Sequence, residues 1–271
     1  MLAKRPRVLY NHNMAIAVFG DIHGNLEALE AILKDVKKRH IKQVYFLGDA
    51  ITFGPNSSEC LKLLQKEKVN CVIGNHEQRV IRYDKSVGDM TYAGIKHMEY
   101  IFNQLDNDDI RFIKSMPTEI KTTYKGYKLH FCHYSHYDDG VVKEDFKYFS
   151  EQTLDNLFKG TDTQVVFFGH IHTRKLIISQ EGRSYFCLGS SGCVKTDKTF
   201  YTYFDANTVA NDNFDVYRID VRYNRKRFVQ KMQTEPIPEK IRFAKKYYDI
   251  DLTAEPTLPN APPPPATTQK K

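Results

Sequence analysis

No apolar run in this 271-residue chain is long enough to cross a bilayer; the longest, such as residues 44–48 and 165–169, are strand-sized. A membrane-spanning role is therefore not expected. The five cysteines, Cys60, Cys71, Cys132, Cys187 and Cys193, include no Cys-x-x-Cys pair, and their odd number argues against a closed disulfide framework. They read as reduced, buried small hydrophobes in a cytoplasmic protein. Residues 1–13 carry Lys4, Arg5 and Arg7 but no sustained apolar segment and no small-residue cleavage site, so a flexible leader is expected rather than a signal peptide.

What is present is ordinary for a globular chain: 41% hydrophobic and 27% charged residues exclude a fibrous or wholly disordered protein. The length suits one α/β domain plus a tail. A formal charge of +7 is compatible with polyanionic partners, nucleic acid included, but describes association rather than a specific ligand. Residues 254–271, with the run Pro262–Pro265, cannot bury enough surface to order themselves, so 251–271 are taken as a Pro-rich flexible tail. Such a tail also offers a ligand to an adaptor groove.

Residues 15–20 form an apolar run ending in glycine, and residues 25–39 then place Leu26, Leu29, Ile32, Leu33 and Val36 at helical spacing. The strand–helix unit repeats through 43–47, 57–67 and 71–73, which predicts parallel strands with helical crossovers. Residues 77–117 are helical and aromatic, closed by Pro117, and read as a small helical cap. Strands are predicted at 127–132, 165–168, 175–179, 184–188, 199–205 and 213–221, which implies a second sheet. Helices follow at 225–233 and 238–248, so the domain is expected to span 14–250.

Five clusters sit where these strands end: Asp21-Ile22-His23-Gly24-Asn25, Gly48-Asp49, Gly74-Asn75-His76-Glu77, His133, and Gly169-His170-Ile171-His172. In open α/β folds that edge is where ligands bind. A D-x-H pair and an H-x-H pair each aim two ligands at one ion, and a carboxylate between them can bridge two. Oxygen and imidazole donors without thiolates suit manganese, iron or zinc. The neighbouring glycines fit turns that bring the backbone close to the ions.

This ordered set resembles the calcineurin-like metallophosphoesterase superfamily, from Ala15 to about Asp220. The closer likeness is to small phosphoesterases related to diadenosine tetraphosphatase and to the serine/threonine phosphatases: Leu47-Gly48-Asp49-Ala50-Ile51-Thr52-Phe53-Gly54-Pro55-Asn56 is similar to L-G-D-x-V-G-Y-G-P-N, and Leu188-Gly189-Ser190-Ser191-Gly192 to N-P-G-S-V-G. The resemblance implies a two-sheet αββα sandwich with helices on its outer faces. It implies one metal held by Asp21, His23, Asp49 and His172, and a second by Asp49, Asn75, His133 and His170, manganese being favoured. It further implies hydrolysis of a phosphate ester by a hydroxide bridging the metals, with His76 protonating the leaving group.

The chain departs from the protein phosphatases where their signature continues G-D-x-x-D-R-G: Thr52 and Phe53 occupy the positions of the acid and the arginine. Arg79 is the replacement candidate for binding phosphate, since a guanidinium offers two parallel donors. Arg82, Tyr83 and Tyr92 on the helical cap, and Lys195 and Lys198, are further candidates for covering or binding a ligand. A small phosphodiester or nucleotide-type substrate is the first expectation. A serine/threonine protein phosphatase is the alternative, followed by a non-catalytic scaffold of the same fold and by nucleic-acid binding through Arg222, Arg225, Lys226 and Arg227.

Overall fold

The computed structural model describes residues 15–82, 91–134, 150–206 and 214–253. The leader, Tyr83 and the Pro-rich tail beyond residue 253 lie outside the described residues. In chain order the elements are β1 (Ile16–Phe19), α1 (Leu26–Lys38), β2 (Gln43–Phe46), α2 (Ser57–Lys66), β3 (Asn70–Cys71), α3 (Asn75–Arg82), α4 (Tyr92–Gln104), α5 (Asn107–Ser115), β4 (Glu119–Tyr124) and β5 (Tyr127–Cys132). There follow α6 (Glu151–Leu157), β6 (Val165–Phe168), β7 (Lys175–Ile178), β8 (Ser184–Cys187), β9 (Lys198–Ala206), β10 (Phe214–Arg222), α7 (Arg225–Thr234) and α8 (Lys240–Phe243), which runs into a π-helical turn, Ala244–Tyr248.

Two five-stranded sheets result, ordered β10-β9-β1-β2-β3 and β4-β5-β6-β8-β7. The period-2 alternation of side chains sorts residues into layers. In β1, Ile16 and Val18 face the space between the sheets, where they join Leu129, Phe131, Val165 and Phe167. Ala17 and Phe19 point the other way, under Leu29, Ile32 and Leu33 of α1 and Leu61 and Leu64 of α2. In β6, Val166 and Phe168 pack outward against Leu154 and Leu157 of α6. The order of layers is helix, sheet, sheet, helix.

An aromatic ladder fills the middle. Tyr45 stacks on Phe131 at 3.9 Å and 5°, Phe131 lies 5.2 Å from Phe167, and Phe167 lies 5.2 Å from Phe186. Offset stacking of this kind adds to the energy of burial.

Helices α3, α4 and α5 contact one another or α2, and Met98, Ile101 and Ile113 join the core under the first sheet. Two elements carried no expectation from sequence, β4 and α6. Strand β4 is an edge strand of half-exposed, mixed-polarity residues, and α6 is two turns long, capped by Ser150 accepting from the Thr153 amide.

Candidate metal centre

Parallel strands deliver their following loops to one edge, and that topology gathers the site. Asp21 and His23 follow β1, Asp49 follows β2, Asn75 opens α3 after β3, His133 follows β5, and His170 and His172 follow β6. Backbone bonds tie these loops together: the Asp21 amide donates to Gly48 O at 2.9 Å, His23 to Asp49 O at 3.0 Å, and Ser191 to Gly20 O at 3.0 Å.

Asp21, His23, Asp49 and His170 all take left-handed backbone angles, φ 52°, 49°, 60° and 71°. Such angles cost non-glycine residues energy and cluster at functional sites. Gly74 makes room for the arrangement, since a Cβ there would stand 2.2 Å from Asp49 Oδ1.

The tautomers can be read from the partners. His133 Nδ1 lies 2.6 Å from Leu47 O, and His23 Nδ1 lies 3.1 Å from Ile51 O. A carbonyl only accepts, so each Nδ1 carries a proton, and whenever the ring is neutral its Nε2 lone pair turns toward the centre. What faces those lone pairs is more acceptors. His133 Nε2 is 2.9 Å from Asn75 Oδ1 and 3.3 Å from Asp49 Oδ2, and His170 Nδ1 is 2.9 Å from the same Asn75 oxygen. His23 Nε2 is 3.0 Å from His172 Nε2 and 3.8 Å from Asp49 Oδ2, while His172 Nε2 is 3.5 Å from Asp21 Oδ1. Asp49 Oδ2 is common to both groups, and Asp21 Oδ2 is buried without a hydrogen-bond partner.

Acceptors brought this close repel unless a positive charge lies among them, and either protons or metal ions can supply it. Burial by itself would lower His133 and His172, but the Asp49 carboxylate lifts His133 to about 9, and Asp21 with the Cys193 thiol lifts His172 to about 11. Burial would raise the Asp49 carboxyl; His133, His76 and His23 reverse this and hold it well below its usual range. The donor set fits a divalent cation: Asp49 stands within ligand reach of His23 and His76 and also of Asp21 and His133, while His23 lies beside His172 and Cys193.

His76 stands at the rim. Its Nε2 is 3.9 Å from Asp49 Oδ2, its Nδ1 is 2.8 Å from Thr52 Oγ1, and its amide donates to Asp49 Oδ1 at 2.9 Å. Thr52 thus takes the place of an orienting acid. Burial pushes His76 down to about 4, against the pull of Asp49. Arg79 is exposed one helical turn further on, near enough for its charge to lower His76. Arg82 and Tyr92 are also exposed, and Lys96 lies over the Tyr92 ring at 5.6 Å.

Three features carried no specific role in the sequence. Glu77, fully buried, accepts from the amides of Asp49 (2.8 Å), Ala50 (2.8 Å), Ile51 (3.3 Å) and Gly74 (3.0 Å), which fixes the Asp49 loop. Its position in the Gly74–Glu77 cluster was the available signal. Phe53 lies 4.5 Å from His23 and 4.9 Å from His76, and Tyr247 of the π turn stacks on it at 4.4 Å and 16° while lying 5.8 Å from His172. Cys193, read from sequence as a buried hydrophobe, instead lies only partly buried beside His23 and His172, their ligand atoms all within 4.8 Å of one another. Cys60, Cys71, Cys132 and Cys187 are buried, as expected.

The fold and this centre together define a metallophosphoesterase. The chain belongs to the calcineurin-like phosphoesterase family, whose sequence profile matches residues 14–174, and with it to the phosphoester hydrolases. The uncharacterized protein MJ0912 of Methanocaldococcus jannaschii is 28% identical over 240 residues, 83% of this chain and 94% of that protein. A symmetrical bis(5'-nucleosyl)-tetraphosphatase of Actinobacillus pleuropneumoniae is 28% identical over 126 residues, 43% of this chain and 44% of that enzyme. Among solved structures, hypothetical protein PH1004 of Pyrococcus horikoshii shares the fold with a TM-score of 0.68 at 17% identity, covering 88% of this chain and 99% of that one. No helix among the described residues is long and apolar enough to cross a membrane.

Proposed function

We propose that this chain hydrolyses a small phosphodiester or nucleotide-type substrate using two divalent cations, manganese, iron or zinc. One is held by Asp21, His23, Asp49 and His172, the other by Asp49, Asn75, His133 and His170. The observation that carries this reading is the meeting of both acceptor groups at one atom, Asp49 Oδ2. When bound, such a pair supplies Lewis acidity that activates water and offsets phosphoryl charge.

The protein's own contribution is positioning and proton supply. Ile51 O and Leu47 O hold the ligand imidazoles in the tautomer that aims Nε2 inward. Thr52 holds His76 with Nε2 toward the centre. A phosphoryl group arriving there brings negative charge, which raises His76 from its depressed value and lets it carry the proton that a departing alkoxide needs. Arg79, on the same helix, supplies donors to phosphate oxygens.

The substrate class follows from what borders the metal groups. Phe53 occupies the position at which a protein phosphatase carries arginine, and with Tyr247 it forms an aromatic wall beside His23, His76 and His172. Such a wall suits a planar group on the substrate better than a peptide carrying a phosphate. The resemblance to a dinucleoside tetraphosphatase over part of the chain supports the same class. A screen of metal-loaded protein against a monoester, a nucleoside diester, dinucleoside polyphosphates and a phosphopeptide tests this. Fastest turnover of a nucleoside-bearing substrate is expected; turnover of the phosphopeptide alone, or of none of them, would refute it.

A further inference from the structure

The fourth group around His172 is a thiol. We propose that Cys193 is a ligand to the cation held by His23 and His172, and that it biases this position toward zinc or iron over manganese. The inference rests on the metal-dependent reading above.

The thiol is brought there by construction. Gly192 is pressed against the Asp21 loop so closely that a Cβ would stand 1.8 Å from Ile22 O, and its amide donates to Asp21 O at 3.0 Å. Ser190 Oγ donates to Asp21 O at 2.7 Å and accepts from the Cys193 amide at 2.8 Å, while Asn25 Nδ2 donates to Gly192 O at 2.8 Å. Three attachments on a loop of four residues fix the Cys193 side chain beside His23 and His172, and its sulfur also lies 3.9 Å from the Tyr248 hydroxyl.

Two independent observations point to a ligand at this centre. His23, fully buried, has its Nδ1 committed to Ile51 O, so its Nε2 lone pair faces the cluster. Asp21 Oδ2 is buried and unpartnered, and the other oxygen of that carboxylate lies 3.5 Å from His172 Nε2. Ligation replaces the S–H bond with a sulfur–metal bond and releases the proton to solvent. Thiolate is a soft ligand that favours zinc, whereas manganese prefers oxygen donors.

Cobalt(II) is the probe. The wild-type protein loaded with cobalt should show a sulfur-to-cobalt charge-transfer band in the near ultraviolet. Cys193→Ser should keep its cobalt stoichiometry and lose that band, and Cys187→Ser should retain it. The zinc-over-manganese preference, measured by competition, should fall about tenfold or more in Cys193→Ser, following ligand softness. Bound zinc should also protect Cys193 from alkylation, read by mass spectrometry on the wild-type chain, so that the inference does not depend on any variant folding. A fully cobalt-loaded wild type without the band, or a Cys193→Ser variant that keeps it, overturns the ligand while leaving the metal centre standing. Failure of the wild type to retain cobalt at all overturns both.

Discussion

Two neighbouring regions of this molecule are built on opposite rules. Between the sheets, Tyr45, Phe131, Phe167 and Phe186 bury rings against rings, and each contact lowers the energy of the folded chain. At the carboxyl ends of the same strands, Asp21, His23, Asp49 and His133 are equally buried, yet their lone pairs face one another and three of the four sit on left-handed backbone. The first region holds itself together. The second is held in place by the first, by the Glu77 carboxylate and by carbonyls from adjoining loops, and its repulsion is relieved only by positive charge.

The contrast breaks most sharply under substitution. Phe167→Ala should cost about 3–5 kcal/mol of stability, read by denaturant unfolding, because it opens a cavity in the ladder, yet it should leave the number of bound metals unchanged where the protein remains folded. His76→Asn should do the reverse, keeping stability and metals while losing about 10²–10⁴ in rate with an alkoxide leaving group. A nitrophenyl ester needs little proton assistance and should show a much smaller deficit on the same metal-loaded variant. Equal losses on the two substrates, or a loss of metal, would reject the proton-donor role of His76.

Glu77→Gln should fall between these two extremes. It replaces one of the two accepting oxygens with an NH2 group and so takes the acceptor from two of the four buried amides; a loss of about 1–3 kcal/mol in stability is expected, along with roughly 10–100-fold weaker metal binding as the Asp49 loop loosens. Unchanged metal affinity in this variant would show that the loop is fixed by other contacts.

A pH titration sharpens the comparison further. In metal-free protein, burial is overcome by Asp49 and Asp21, which hold protons on His133 to about 9 and on His172 to about 11. A cation must displace those protons, so apparent metal affinity should rise with pH below 9, by up to about tenfold per unit for each proton released. Calorimetry in buffers of different ionisation enthalpy counts the protons directly; flat affinity between pH 6 and 8 would contradict the arrangement.

Much of this was legible in the sequence because the chemistry sits where the pattern changes. Apolar runs ending in glycine marked β1, β2 and β6, and the candidate ligands follow them, so Asp21, Asp49 and His170 could be placed at one edge before any coordinates. The aids to those ligands were not legible. Ile51 O and Leu47 O are backbone atoms that any residue supplies, and Cys193 looks like every other small apolar residue until the loop from Leu188 folds over Asp21. Strand β4 was hidden because its inward positions, Ile120, Thr122 and Tyr124, mix polar with apolar residues at a sheet edge and only Tyr124 is fully buried, and the single helix expected at 238–248 changes to a π turn at Ala244.

The proposed two-metal centre stands on one atom, Asp49 Oδ2, which reaches toward both His23 and His133. Metal content of folded wild-type protein and of Asp49→Ala, measured by elemental analysis after equilibration with manganese or zinc, tests it most directly. The wild type should bind two ions per chain, and the variant should bind neither tightly, with turnover reduced by about 10³-fold or more as the Lewis-acid contribution is lost. An Asp49→Ala protein that retains two ions at wild-type affinity would show that the carboxylate is not the bridge.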